Sequence, residues 1–564
     1  MAAGAALLLV ACQGPSGPKP PSVDRDAPTF SLRLVPAPLE LAVGESAVVT
    51  VTVLRSEGFD APVTVRVAPG TAPPTGMEVG QVTLAAGATA GTLALTVDER
   101  VAPGTVLLTL QGVGGGVTKF VAHAVVVRAP VAEVASSTID GDADAGQLRL
   151  GQTDVLVVLQ GRRLDRVTTV AMEDLDVTIS SDPPRTDELL ALRVQVPHGA
   201  PRGPRALTLG HGAFGGLTLH DFVEVTPIVV GPAGDDAAGR GTWARPFRSL
   251  TRALQVAGDG DLVWLDDGRY DEAGGEAWGS QDWDATFPPE ALPPANVPER
   301  VTIRGQSRDG VVLAGSFLHG GAQLGLVFAG AGSLERVTLT DFATAVVATG
   351  GPLALRDVRL WANSEGVLAL LDADVTIEHA LLDAQYHDAL RPRHSARMAV
   401  RDSVLSDNLW ALTADGDVRV DLEDVYVRDS GLDGLRLLDR SHAVLRRVTV
   451  EGSALAGIRA AGHALVMRDS AVLANGESGL LVRDGVELVD LGNLLEAGGN
   501  ALAGNLPYQI HDTRADRDEF DGVIVTLSAT TLQGAWPEPG GLAGPLVDGD
   551  RIAIDGARNR VEIY

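Results

Sequence analysis

The densest run of proton-moving groups in this chain is Asp383-Ala-Gln-Tyr-His-Asp-Ala-Leu-Arg-Pro-Arg-His394. A carboxylate next to an imidazole makes a general acid/base pair, and nearby guanidiniums stabilise the charge left when a proton departs. Asp383, His387, Asp388, Arg391, Arg393 and His394 are therefore the candidate catalytic set. Two chemistries fit those residue types. One is removal of a proton beside a uronate carboxyl. The other is hydrolysis of a glycosidic bond, which needs two carboxyl groups flanking the scissile oxygen. Lysine occurs only at Lys19 and Lys119, so the cation of any such site must be arginine. The same run also reads as a polar surface loop. That plainer reading leads, because spacing along a chain does not show convergence in space.

Asp407, Asp429 and Asp433 lie on the turns that follow. With Asp388 they suggest an acidic column, which suits a Ca²⁺ ion or a glycosidase pair. Its register is uneven, and turns favour Asp without any ligand. Trp361, Tyr386, Trp410 and Tyr426 are aromatic plates on which a sugar ring could stack, so they join the three aspartates as candidate ligand-binding residues. Trp410 also suits a core position, and aromatics make up only 4% of the chain, low for a dedicated glycan binder. Asp140-Gly-Asp-Ala-Asp-Ala-Gly146 starts like a calcium loop but has Gly151 where the bidentate Glu belongs, so it reads as a solvated turn. Asp516-Arg-Asp-Glu-Phe-Asp521 likewise reads as a charged loop. Ca²⁺ aside, no cofactor and no metal centre is expected. Phosphate-loop, G-x-S-x-G, H-E-x-x-H and dinucleotide motifs are missing from the sequence.

The elements that must carry these residues repeat. Arg356, Glu378, Arg401, Glu423, Arg446 and Arg468 follow one another at steps of 22, 23, 22, 23 and 22. In phase with them run Ala345, Gly366, Ala389, Ala411, Gly434, Gly457 and Gly479, each followed by an aliphatic: Val346, Val367, Leu390, Leu412, Leu435, Ile458, Leu480. A fixed period of this size indicates a solenoid. Runs such as Leu353–Leu360 and Ala443–Val450 alternate apolar and polar, which is the strand period. Turn residues separate them, as in Asn475-Gly-Glu-Ser-Gly479. Some 22 residues are too few for a strand, a full helix and a return. Two or three short strands per turn fit, which predicts a parallel β-helix with one apolar column inside. A leucine-rich repeat has a similar period, but its L-x-x-L-x-L pattern and asparagine ladder are not evident. The Arg/Glu ladder reads as a solvated outer face with weak pairs.

The repeat is preceded by Gly234-Asp-Asp-Ala-Ala-Gly-Arg-Gly-Thr-Trp-Ala-Arg-Pro-Phe-Arg-Ser-Leu-Thr-Arg-Ala-Leu254, then Gly258-Asp-Gly-Asp-Leu-Val-Trp-Leu265 and Asp267-Gly-Arg-Tyr270. Pro246 is expected to start a short amphipathic helix with Phe247, Leu250, Ala253 and Leu254 on one face, capping the open end of the solenoid. This pattern resembles the start of the right-handed β-helix family of the pectate-lyase-like superfamily, in particular its bacterial surface branch DUF1565. Gly504-Asn-Leu-Pro-Tyr-Gln-Ile-His-Asp512 is similar to the closing coils of that family. The resemblance, over about 227–564, implies the fold and no particular activity.

The expected fold is thus all-β. Two N-terminal β-sandwiches precede a right-handed parallel β-helix with a short N-terminal capping helix. The sandwiches are read from alternating strands between frequent turns: an immunoglobulin-like one over 28–128 and a second over 129–226. Gly151–Gly161 with Val-Pro-His-Gly at 196–199 resembles IPT/TIG domains. The β-helix takes 227–564.

Residues 1–27 read as a signal and tether. Leu9-Val-Ala-Cys12 looks like a lipobox, with Cys12, the sole cysteine, as the lipidated residue. The usual basic stretch before it is missing, which suggests a start further upstream or a trimmed chain. This predicts export, a bacterial outer-membrane or cell-surface location, and the membrane as a partner through the lipid on Cys12. Polysaccharide is a further expected partner. One cysteine allows no intrachain disulfide and no cysteine metal site. A formal charge of −28 repels phosphate backbones, so nucleic acid is not expected as a partner. The reading that follows is a displayed, non-catalytic binding or structural module. A polysaccharide lyase or glycoside hydrolase is the alternative.

Overall fold

A computed structural model of the chain describes residues 28–280, 296–319 and 323–513, apart from 99, 129–131, 142–145, 212–215, 493–494 and 507. It also describes the strands Ile524–Leu527, Thr531–Gln533, Ile552–Ile554 and Arg560–Ile563. Cys12, the middle of the 140–146 string and the 516–521 string lie outside the described residues. The protein is all-β, with a single α-helix among the described residues, α1 (Leu250–Val256). No helix among the described residues is long and apolar enough to cross a membrane.

The alternating stretches near the N-terminus form strands. Ser46–Arg55 pairs antiparallel with Phe30–Val35 and Ala90–Val97 in one sheet; Gly104–Gly114 pairs with Val117–Arg128 and Val63–Val67 in another. Their inward faces, including Val49, Val51, Val53, Leu93, Leu95 and Leu110, fuse into one core. Further on, Val155–Arg162 lies between Glu133–Ile139 and Leu189–Gln195, and Gly203–Gly210 pairs within a separate four-stranded sheet.

From Ile228 onward the chain winds into a parallel β-solenoid of about eight turns. Most coils give two strands to one long sheet and one strand to a narrower sheet. The aliphatic file is in register from coil to coil: Val346 pairs with Val367, Val367 with Leu390, Leu390 with Leu412, Leu412 with Leu435, Leu435 with Ile458, and Ile458 with Leu480. All seven are fully buried. Each coil seals the apolar interior of the next, so stacking removes their side chains from water.

The corners obey a second periodicity. Ala362, Ala384, Asp407, Asp429 and Ala474 all have left-handed φ between 52° and 58° in non-glycine residues. The next residue turns inward. Asn363 accepts from the Phe342 N–H at 3.0 Å, Gln385 from Asn363 at 3.0 Å, and Asn408 from Gln385 at 2.9 Å. Asn475 and Asn505 repeat the bond further along. The solenoid therefore does have a buried amide ladder, contrary to the sequence reading. A Gln at 385 and serines at 430 and 453 interrupt the letter pattern. The ladder also explains the small-residue file: a Cβ on Gly457 would sit 2.6 Å from Asn475 Nδ2.

The capping helix is present but starts later than expected. Ser249 is its N-cap and accepts from the Arg252 N–H. Pro246 and Phe247 precede it, and Phe247 forms a bridge to Val230. Phe247, Leu250, Ala253 and Leu254 are nevertheless all buried, as the pattern required.

Candidate functional site

On the narrower sheet, alternation turns one set of side chains out of the solenoid. Thr344 is paired with Glu365, and Asp388 with Trp410, on successive strands. A second outward file is Val347, Leu368, Arg391, Thr413, Arg436 and Arg459. The early coils are apolar in this file, the middle ones from Arg391 to Arg459 are polar or cationic, and Leu481, paired with Arg459, is apolar again. The first change falls on the strand Asp388–His394, where the polar groups gather.

Asp388 is 1% exposed although it faces outward. One oxygen accepts from the Thr413 hydroxyl, and the other lies 2.9 Å from His387 Nδ1. Arg391 donates to Glu365 and lies 3.8 Å from Asp388. His387 Nδ1 is 3.9 Å from Glu365. Its ring packs edge-on against Trp410 at 4.8 Å, and Arg436 covers Trp410 with its guanidinium carbon 4.8 Å from the ring centre. Tyr386, half-exposed next to His387, lies 6.1 Å from the Phe317 ring.

The hydrogen bond to Asp388 holds the His387 imidazole above its ordinary pKa, against burial and with help from Glu365. Burial disfavours the Arg391 charge, but Glu365 and Asp388 outweigh it and keep the guanidinium charged. Two carboxylates, an imidazole and a guanidinium thus form one hydrogen-bonded and ion-paired cluster. Glu365, His387 and Asp388 place their donor atoms within 4.8 Å of one another, the one such group of three acidic or histidine side chains among the described residues.

Of the catalytic candidates, the fold brings together His387, Asp388 and Arg391. Asp383 belongs to the long sheet, where Arg359 grips it at 3.1 and 2.7 Å. Arg393 turns to Asp415 at 3.2 Å. His394 has left-handed φ and accepts from the Leu371 N–H. Asp407 and Asp429 occupy left-handed corners, and Asp is among the few residues that tolerate this backbone. Asp433 is buried and bidentate to Arg459 at 2.8 Å. Trp361 and Tyr426 belong to the long sheet: Arg359 stacks over Trp361, and the Tyr426 hydroxyl bonds Glu451. The structure therefore supplies no single acidic column running through Asp388, Asp407, Asp429 and Asp433.

Sequence reasoning passed over Glu365, Thr413 and Arg436. The signal for Glu365 was available: it lies 23 residues before Asp388, one repeat upstream. It was hidden inside Asn363-Ser-Glu-Gly366, which reads as an ordinary turn.

The conspicuous opening motif proves to be architectural. Asp236 accepts from the Arg248 and Ser249 N–H groups at 2.8 and 3.0 Å and from the Ser249 hydroxyl at 2.7 Å. Glu276 accepts from Leu250 and Thr251 N–H at 2.6 and 2.9 Å. Acidic oxygens thus satisfy the donors at the start of α1.

Residues 232–280 match a family model described as a protein of unknown function, DUF1565. No curated protein sequence matches the chain. Among solved structures, domains 4–9 of the surface layer protein SbsC are 17% identical, with 37% of this chain and 36% of that chain covered and a TM-score of 0.14. The endo-fucoidan hydrolase MfFcnA4 of glycoside hydrolase family 107 is 14% identical, with 35% and 28% covered and a TM-score of 0.15. This chain thus spans about a third or less of those proteins, and at these TM-scores the likenesses place no activity on it.

Proposed function

We propose that this chain is an exported, lipid-anchored surface protein whose β-helix binds polysaccharide on the outer face of the narrower sheet without cleaving it. The observation that carries the reading is the saturation of that face. Asp388 is held by Thr413 and His387, Glu365 by Arg391, and Asp433 by Arg459. Hydrolysis requires one carboxyl that keeps a proton and one free to attack or to activate water. Here each carboxylate already answers a cation or a donor. What the face offers outward is Tyr386, the His387–Trp410 pair and the Arg436 guanidinium. Stacking plates beside a cation suit a sugar ring that carries hydroxyls and acidic groups.

Binding is tested with the full chain against a panel of neutral and acidic polysaccharides. At least one polysaccharide should bind, with Trp410→Ala weakening it about tenfold, the equivalent of ~1.4 kcal/mol. The same mixtures should release neither reducing ends nor unsaturated uronates. The enzyme reading is favoured by one observation, a buried Asp388 joined to a half-exposed His387. Product release that disappears in His387→Ala would establish that reading instead. The anchor is tested separately: labelled fatty acid should enter the chain in a bacterial host and be lost in Cys12→Ser.

A further inference from the structure

We infer that Glu365, His387 and Asp388 form a binding site for a divalent transition-metal ion, of which zinc is the best fit. The inference goes beyond glycan binding and does not depend on it.

The geometry comes first. Zinc bonds of 2.0–2.2 Å in a tetrahedron require donors roughly 3.4 Å apart. His387 Nδ1 lies 2.9 Å from Asp388 and 3.9 Å from Glu365, which brackets that edge. All three donor atoms lie within 4.8 Å of one another. Shifts of roughly an ångström or less make the three edges equal, and side-chain rotation supplies them.

The surroundings hold these donors in place. The Thr413 hydroxyl takes one Asp388 oxygen and leaves the other for the centre. The Thr344 hydroxyl is 3.5 Å from Glu365, on the opposite oxygen from the one facing His387. Trp410 fixes the imidazole plane from its edge. Such outer partners orient metal ligands and tune their affinity. The His387 side chain is 43% exposed, so an ion can enter and a water can complete the coordination.

Arg391 explains how the two carboxylates sit together. Its Nη1 contacts Glu365 and lies 3.8 Å from Asp388, so a guanidinium stands where positive charge is wanted. Its buried Nε has no hydrogen-bond partner, so these carboxylates hold the head of the side chain. The ion must displace this cation from Glu365. One imidazole nitrogen with two carboxylate oxygens suits zinc or manganese. Calcium, which takes six to eight oxygens, does not fit.

The test is calorimetric titration of the untagged full chain with ZnCl₂, with a chromophoric chelator as competitor and no polysaccharide present. The expected result is one Zn²⁺ per chain, not displaced by millimolar Ca²⁺. His387→Ala and Glu365→Gln should each weaken it about tenfold or more. Arg391→Gln should tighten it about tenfold, because the competing cation is gone. A general loss of structure cannot produce that gain. No saturable binding by the native chain overturns the inference. So does binding indifferent to His387→Ala, or weaker binding in Arg391→Gln. Polysaccharide binding measured in chelator reports on the proposed function alone, so the two ideas fail separately.

Discussion

At the scale of single residues, the pair His387–Asp388 is the sharpest feature of the solenoid. The carboxylate is buried and the imidazole is half-exposed, so the charged imidazolium gains a partner that the unfolded chain cannot supply. A histidine whose folded pKa is raised adds stability that is fully present below its unfolded value of about 6.5. That stability is lost as pH rises through the higher folded value. A proton NMR titration should place the His387 imidazole above that reference. In Asp388→Asn the midpoint should fall back to it or below, since burial then acts with only Glu365 to oppose it. An unchanged midpoint would show that Asp388 is not the cause. His387 and Asp388 were legible in the sequence because they are adjacent and of unusual type. Glu365 was not, because its partnership runs across coils. A strand pairing one repeat away is invisible until the register is fixed to the residue.

At the scale of elements, the corner carries the coil. A left-handed residue turns the backbone, and the amide behind it caps the N–H group of the coil below. Asn408 accepts from the Gln385 N–H and donates to the Leu382 carbonyl at 3.0 Å, both out of reach of water. In Asn408→Ala both groups lose their partner in the interior. At about 1–3 kcal/mol for each buried unsatisfied group, the loss should be about 2–6 kcal/mol. Calorimetric melting of the full chain should show the β-helix transition move down while the N-terminal sandwich transition stays in place. A β-helix transition that does not move would remove the ladder from the list of stabilising features. The outer Arg/Glu stripe is the opposite case. Arg356 lies 3.3 Å from Glu378 and Arg401 3.4 Å from Glu423, with the arginines half-exposed. Exposed pairs contribute at most about 1 kcal/mol each and are screened by salt. The stripe was easy to read because charges recur at a fixed step. The amide ladder was missed because three residue types share one position, and only the backbone shows that they do the same work.

At the scale of the whole molecule, a solenoid is a nearly one-dimensional object. Each coil touches its two neighbours, so stability is a sum of coil terms and interface terms. This is why the aliphatic file could be predicted from the sequence alone: every coil must present its side chain at the same height or leave a cavity next to both neighbours. It is also why damage should spread locally. Leu412 is fully buried between Leu390 and Leu435. Leu412→Ala removes three buried carbons, a loss of about 2–5 kcal/mol for a core that cannot collapse around the gap. Hydrogen exchange read by mass spectrometry should quicken most in Trp410–Gly416. Asp388–His394 and Leu435–Leu437 should follow, and Ser46–Arg55 should be unaffected. Because the candidate site rests on the outer side of these same strands, loosening this rung should also weaken polysaccharide binding with every site residue intact. Uniform quickening along the whole chain would mean that the coils do not act as neighbours in a stack, and the outer face could no longer be treated as a platform built rung by rung.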